Sequence, residues 1–348
     1  MHTLTRLGLA IGVVAVMGCA VAAPRGEEAT AMDFPKVVLE NAGLRLTVYL
    51  PDAAKGFYRG MRFDWSGLVA RAEFDGRTVY GPFRTTYDAT NHDNVVGPAE
   101  EFDMDSPPGW DEAKPGEGFM KIGVGILRKL PPLAKEKQPK DYAYAYGFWL
   151  AHEILDGGAW KVERGKDWVE FRHTLSGPRG RAYVYTKRIA VAGHPPAFTI
   201  HHALANTGTR PIDTVVYNHN LTLLDDEPVG PAYHITFPFD LKAKEARGPA
   251  EFKGRNVVLP KELRGDSVWA AFEGADFPAD RHTVTLVNTR TGTGVTLRGD
   301  RPVAEWRFYA EKTAACPEPF VRLRVEPGKT ETWQVAYALL AGKPAVKP

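Results

Sequence analysis

Four short stretches of this 348-residue chain gather side chains that move protons or grip hydroxyl groups. The first is Tyr58-Arg59-Gly60-Met61-Arg62-Phe63-Asp64-Trp65-Ser66-Gly67. Read as a strand, it puts Arg62 and Asp64 on one face and Phe63 and Trp65 on the other. A guanidinium fork and a carboxylate hold sugar hydroxyls, and an indole stacks on a pyranose face; a structural ion pair under a buried tryptophan is the plain alternative. The second, Gly97-Pro98-Ala99-Glu100-Glu101-Phe102-Asp103, follows Asn91-His92-Asp93-Asn94. Its Glu100 and Glu101 would accept hydroxyl protons, or form no more than a solvated acidic loop. The spacing fits no calcium loop of the EF-hand type, and no metal or cofactor is expected.

The third stretch is Val216-Tyr217-Asn218-His219-Asn220-Leu221-Thr222. On a strand, Tyr217 and His219 share one face while Asn218 and Asn220 take the other, which gives a polar pocket around His219 or a satisfied core histidine. The fourth is the run from Glu305 to Tyr337, where Glu305, Arg307, Tyr309 and Glu311 alternate with Trp306 and Phe308. It continues into Ala315-Cys316-Pro317-Glu318-Pro319, read as a stiff turn presenting Glu318 just before a strand. Rigid presentation suits a general base; an exposed loop residue is the alternative. Lys121, His152 and Lys187, each in an aromatic-rich setting, add candidate bases for proton abstraction beside a uronate or ketone, with Arg62 or Arg307 holding the developing charge.

The elements positioning these residues read as strands. Period-two alternation runs through Leu44–Leu50, Val169–Leu175, Ala182–Val191, Phe198–Leu204, Thr214–Leu224, His282–Asn288, Ala304–Tyr309, Val321–Val325 and Glu331–Leu339. Asn206-Thr207-Gly208 and Glu326-Pro327-Gly328 punctuate them as turns. The 34 glycines and 27 prolines break most helical candidates, so the expected fold is all-β, an antiparallel sandwich. Pro131–Lys140 is the best loop candidate.

The N-terminus reads as an export signal over residues 1–23: Arg6, an apolar run from Leu7 to Gly18, then small residues. Ala20-Val21-Ala22 suits ordinary cleavage, while Val16-Met17-Gly18-Cys19 resembles a lipoprotein box that would lipidate Cys19. Residues 24–35 form a polar leader, and 36–342 one domain. Lys and Arg number 44 against 42 Asp and Glu, a balance that points away from nucleic acid and leaves Cys19 as the one route to a membrane. No pattern sets an oligomeric state. The expected place is the periplasm or a bacterial membrane surface.

Taken in order, these segments resemble the galactose-mutarotase-like superfamily, which folds as a large β-supersandwich. The resemblance is carried by Asn206-Thr207-Gly208, the His219 segment, Pro317-Glu318-Pro319 and Glu326-Pro327-Gly328-Lys329-Thr330-Glu331-Thr332-Trp333, with the opening Asn41 to Gly67, and it covers most of residues 37–340. It implies a saccharide substrate, His219 as general acid on the ring oxygen and Glu318 as general base on the anomeric hydroxyl. Beside that pair, the residue chemistry read above makes Arg62, Asp64, Trp65, Glu100, Glu101, Lys121, His152, Lys187, Asn220, Arg307 and Tyr309 the candidate substrate-binding residues. The chain departs from the family after His219, where Asn220-Leu221-Thr222 lacks the aromatic pair, and after Glu318, where an Asp-containing segment is missing. A sugar lyase or hydrolase using Lys187, His152 or Tyr217, and a sugar-binding module without chemistry, stand as alternatives on the same fold.

Overall fold

A computed structural model describes residues 33–342 except 42, 85, 135–145 and 193. The export segment with Cys19, leader residues 24–32 and positions 135–140 of the loop candidate lie outside the described residues. Strands β1 (Lys36–Asn41), β2 (Leu44–Tyr49), β3 (Leu68–Phe74) and β4 (Arg77–Val79) form a four-stranded sheet. After β5 (Gly97–Phe102), strands β6 (Gly118–Lys121), β7 (Gly125–Arg128) and β8 (Ile154–Asp156) make a three-stranded one. Then follow β9 (Ala159–Arg164), β10 (Trp168–Ser176), β11 (Ala182–Ala192), β12 (Ala197–Asn206), β13 (Ile212–Leu221) and β14 (Tyr233–Thr236). The chain continues through β15 (Ala243–Arg247), β16 (Glu251–Lys253), β17 (Asn256–Val258), β18 (Val268–Phe272), β19 (Thr283–Asn288) and β20 (Thr293–Gly299). It closes with β21 (Glu305–Glu311), β22 (Ala314–Val325) and β23 (Thr330–Ala341).

Two large sheets dominate: a ten-stranded one ordered β16-β17-β14-β19-β20-β23-β12-β11-β10-β9 and a six-stranded one ordered β15-β18-β21-β22-β13-β5. The larger of the apolar clusters between them spans both sheets. Phe171, Ile189, Ile200, Leu286 and Val335 of the ten-stranded sheet meet Val268, Trp306 and Phe308 of the six-stranded one. Alternation explains this directly, since in β10, β11, β12 and β21 every second residue is buried. Trp306 meets Phe237 edge-on at 5.3 Å between centroids, and burial of each such ring contributes roughly 1.5–3 kcal/mol.

Three local expectations are corrected. Residues 58–67 form an irregular segment and no strand, so Arg62 and Asp64 are not held on one face by strand alternation. Glu100 and Glu101 sit in the buried strand β5, fully shielded from solvent, and not in a solvated loop. Ala315–Pro319 lies inside β22 and is no turn.

Adjacent on β5, Glu100 and Glu101 point to opposite sides of the six-stranded sheet. Glu100 faces into the sandwich, where Lys187 of β11 donates to its carboxylate and to the Ser66 carbonyl at 2.6 Å. Asn218 Nδ2 donates to the same carboxylate at 2.9 Å, His202 Nε2 stands 3.6 Å from it, and Asp64 lies 3.7 Å from the Lys187 ammonium. This ionic knot ties the two sheets together. Burial pushes the Glu100 carboxyl up, and Lys187 pulls it back toward the ionised form. Removing one partner of a fully buried pair strands the other's charge, at a cost of about 3–5 kcal/mol. Lys187→Met should therefore lower the urea midpoint by that order of stability, and adding Glu100→Leu should recover most of the loss. Equal midpoints for the single and double variants would show that the pair does not hold the sheets.

Candidate functional site

The strand pair carrying His219 and Glu318 is deliberately incomplete. β13 pairs with β22 from Ile212↔Val325 to Tyr217↔Phe320 and then separates, meeting it again only at the bridge Thr222↔Ala315. The prolines explain the gap. Antiparallel residues alternate in the neighbour they address: the Phe320 carbonyl accepts from Ala304 N at 2.7 Å, beside β21, so Pro317 and Pro319 address β13, where neither has an N–H to give. Asn220 fills in, its Nδ2 donating to the Pro317 carbonyl at 2.8 Å. Pairing of β22 with β21 is unbroken, and it sets Arg307 opposite Glu318 and Tyr309 opposite Cys316. On its other edge β13 pairs with β5 from Val216↔Phe102 to Leu221↔Gly97. Gly97 is forced to be glycine: it has φ +61°, and a Cβ there would fall 2.0 Å from the Val69 carbonyl oxygen.

Above the gap lies a pocket of about 180 Å³ lined by Tyr217 and His219 of β13, Glu318 of β22, and Arg307 and Tyr309 of β21. Loops contribute Arg62, Phe83, Arg84, Asp93 and Phe148. His219 Nδ1 is 3.3 Å from a Glu318 carboxylate oxygen and is hydrogen-bonded to Cys316 Sγ. Burial holds the imidazole down to about 3, with Arg62 and Arg84 adding to the effect. Burial likewise pushes the Glu318 carboxyl up to about 7, against the pull of Arg62 and Arg307. Burial and the nearby Glu318 raise the Cys316 thiol well above its ordinary value. The thiol donates to Nδ1 when the ring proton sits on Nε2, and Nδ1–H donates to Sγ in the other tautomer. Nε2 has no hydrogen-bond partner among the described residues.

Arg62 is fixed on three sides: Nε donates to Glu101 at 2.8 Å, Nη2 to the Tyr217 hydroxyl at 2.8 Å, and Nη1 to Asp93. Its guanidinium stands 4.1 Å from the Phe148 ring centroid. Arg84 bridges Asp93, at 3.0 Å, and Glu311, at 3.1 Å, and Glu311 accepts from Tyr309 at 2.9 Å. Burial pushes the Asp93 carboxyl up, but Arg62, His92 and Arg84 outweigh it and hold it at about 2. One cationic wall is thus pre-assembled on Glu101, Asp93 and Glu311.

Of the residues singled out in the sequence, the pocket brings together Arg62, Asp93, Tyr217, His219, Arg307, Tyr309 and Glu318. Glu101 and Lys121 stand behind Arg62, Lys121 donating to the Phe102 carbonyl at 2.6 Å and reaching Glu101 at 3.4 Å. Asp64, Glu100 and Lys187 are sealed inside the sandwich. Asn220 faces away from the pocket, accepting from the Tyr337 hydroxyl at 2.9 Å. Trp65 donates to the Gly60 carbonyl at 2.6 Å, and the His152 ring is held between the carbonyls of Arg128 and Tyr146. Phe83, Arg84, Phe148 and Trp269 were missed. No periodic or motif signal marks them, because loops and a neighbouring strand bring them in. His219 Nδ1, Cys316 Sγ and a Glu318 oxygen lie within 4.8 Å of one another, a donor set that zinc accepts. Here Nδ1 is hydrogen-bonded to Cys316 Sγ and stands 3.3 Å from the Glu318 carboxylate.

No family model matches the sequence, and no curated protein matches it. Solved structures do. The Slr1438 protein of Synechocystis sp. PCC 6803 aligns with TM-score 0.53 at 12% identity, covering 89% of this chain and 97% of that one. A galactose mutarotase-like protein from Clostridium acetobutylicum gives TM-score 0.53 at 10% identity, covering 87% and 94%. The GalM/aldose epimerase homologue of C. elegans gives 0.50 at 12%, covering 87% and 98%. The chain has the galactose-mutarotase-like fold, an antiparallel β-sandwich, and at such identities the likeness carries architecture and not chemistry.

The placement of Cys316 gives a direct check. In a Cys19→Ser chain it is the one thiol. Sealed and protonated, it should react with a disulfide reagent at pH 8 far more slowly in the native protein than in denaturant. Equal rates would show that Sγ is open to solvent and not held against His219.

Proposed function

We propose that this protein catalyses proton transfer at the anomeric centre of a saccharide, interconverting its anomers. The observation that carries the reading is the convergence of His219 and Glu318, 3.3 Å apart, in a pocket that also presents Arg62, Arg307 and aromatic walls. Aromatic faces suit pyranose rings, and guanidinium groups suit their hydroxyls.

The geometry supports a relay more than two independent groups. A neutral imidazole is a weak acid alone, yet in the Nε2–H tautomer its Nδ1 accepts while Nε2 donates. The Glu318 carboxylate takes the proton from the anomeric hydroxyl and passes it to His219 Nδ1, and Nε2–H protonates the ring oxygen. The C1–O5 bond breaks and C1 becomes a carbonyl. After rotation about C1–C2, the steps run backward: O5 attacks C1, its proton returns to Nε2, Nδ1 returns one to Glu318, and the carboxyl reprotonates O1. Closure thus restores the starting tautomer, with no net proton uptake. Cys316 acts as a positioning residue that sets the resting tautomer.

The lyase alternative keeps only Tyr217 of its three candidate bases at the pocket. Its hydroxyl already donates to Glu101 at 2.6 Å and accepts from Arg62.

Polarimetric anomer exchange over a panel of aldoses tests the reading. His219→Ala and Glu318→Gln should each slow exchange by about 10²–10⁴-fold. Because the carboxylate form is required and its proton leaves near pH 7, kcat/KM should rise through about pH 7 to a plateau, and this limb should vanish in Glu318→Gln. Spontaneous rates with every sugar would sink the proposal; unsaturated products from uronic-acid polymers would favour the lyase.

We further propose that the chain works outside the cytoplasm, on the strength of the Arg6 head, the Leu7–Gly18 run and the small-residue exit. The mature N-terminus, determined by mass spectrometry of the cell-envelope fraction, should begin at residue 19 with a lipid or shortly after Ala22. An intact Met1 would refute export.

A further inference from the structure

The pocket continues past Arg307. A groove of about 750 Å³ shares Met104, Tyr217 and Arg307 with it, so the two cavities adjoin. Alone, the pocket's 180 Å³ falls below the roughly 300–1,000 Å³ of ordinary small-molecule sites and suits one sugar ring. The groove falls within that range.

The groove lining is chemically mixed. Phe320 is buried in the floor with Tyr217 stacked on it at 4.4 Å, and Arg307 lies over the same ring at 4.4 Å while Glu305 grips the guanidinium at 2.9 Å. Asp105 and Glu273 supply acceptors; Lys244 and Arg322 supply donors. Carboxylates and cations interleave, and neither sign dominates. A polyanion such as a uronan calls for net positive charge, whereas hydroxyl-rich neutral sugars are served by alternating donors and acceptors.

We infer that the groove is a run of further sugar subsites, and that the protein acts on the reducing end of neutral oligosaccharides. The inference rests on the reading of His219 and Glu318 as the anomeric pair. Exchange at C1 requires a free anomeric hydroxyl, so the ring in the pocket is the reducing-end ring. The rest of the chain must leave through another hydroxyl, and the groove lies open beside it. The reaction that supplies this substrate is then glycan cleavage, which exposes new reducing ends, each in a single anomeric form when the cleaving enzyme is stereospecific.

Isothermal titration of the mature protein tests this with glucose, galactose, xylose and mannose, their linked di-, tri- and tetrasaccharides, the same trisaccharides reduced to alditols, and tetragalacturonate. In at least one neutral series the Kd should fall about tenfold or more from mono- to trisaccharide. Reduction to the alditol should forfeit tightness, and Lys244→Ala combined with Glu273→Ala should shrink the mono-to-trisaccharide ratio. The inference is overturned by a Kd independent of chain length in every series, by a chain-length gain that the groove variants leave intact, by alditols binding as well as reducing sugars, or by tetragalacturonate binding tightest. If His219→Ala slows exchange on monosaccharides while chain length has no effect, the anomeric reading stands and the groove proposal falls. If exchange is unaffected by His219→Ala, the anomeric reading falls, and the reducing-end assignment falls with it even where chain length matters.

Discussion

Two neighbouring carboxylates on β5 fix the rest of the molecule. A strand sends successive side chains to opposite faces, so Glu100 and Glu101 cannot both be buried on one side. Each therefore has its own cation, recruited from a remote part of the chain. Glu100 draws Lys187 out of the opposing sheet and closes the sandwich; Glu101 draws Arg62 out of an irregular loop and builds the cationic wall of the pocket. One dipeptide couples the closure of the fold to the assembly of the site. A charge left alone at either position would be expensive enough to reorganise its surroundings.

The site itself occupies a fault in an otherwise regular sheet. Paired in full, β13 and β22 would hold their side chains at ordinary ladder spacing. With prolines at 317 and 319 the ladder stops for four residues of each strand, and Asn220 covers one of the carbonyls thus exposed. His219, Cys316 and Glu318 meet in that interval. The rigidity that β22 needs comes from its other neighbour, since β21 pairs with it without interruption. A site on two strands is held more firmly than one on loops, and here the loops supply only its walls.

Alternation made the large strands legible. β2, β10, β11, β12, β19, β21 and β23 fall close to where period-two patterns placed them, because each buries one face. The order of motifs that carried the resemblance corresponds to the observed fold. What alternation could not disclose were cases where an ordinary rule is suspended by a distant partner. Two adjacent glutamates read as solvated until Lys187 and Arg62 are known to reach them. Pro317-Glu318-Pro319 reads as a turn because proline breaks ladders, yet a proline is harmless on the side where no ladder forms. Asp64, Lys187 and Asn220, expected to bind substrate, are instead enclosed among protein partners away from the pocket. Trp269 and Arg84 join the pocket through tertiary placement alone.

The long reach of these contacts also governs when the pocket can form. His219 meets Cys316 across 97 residues of sequence, and Arg62 meets Tyr217 across 155. Closing such loops is slow relative to forming local turns, because the entropy of the intervening chain is lost before the contact is gained. No fragment ending before residue 318 contains both His219 and Glu318. A chain still being synthesised therefore lacks the pocket. It is completed only when β22 joins β13 and β21.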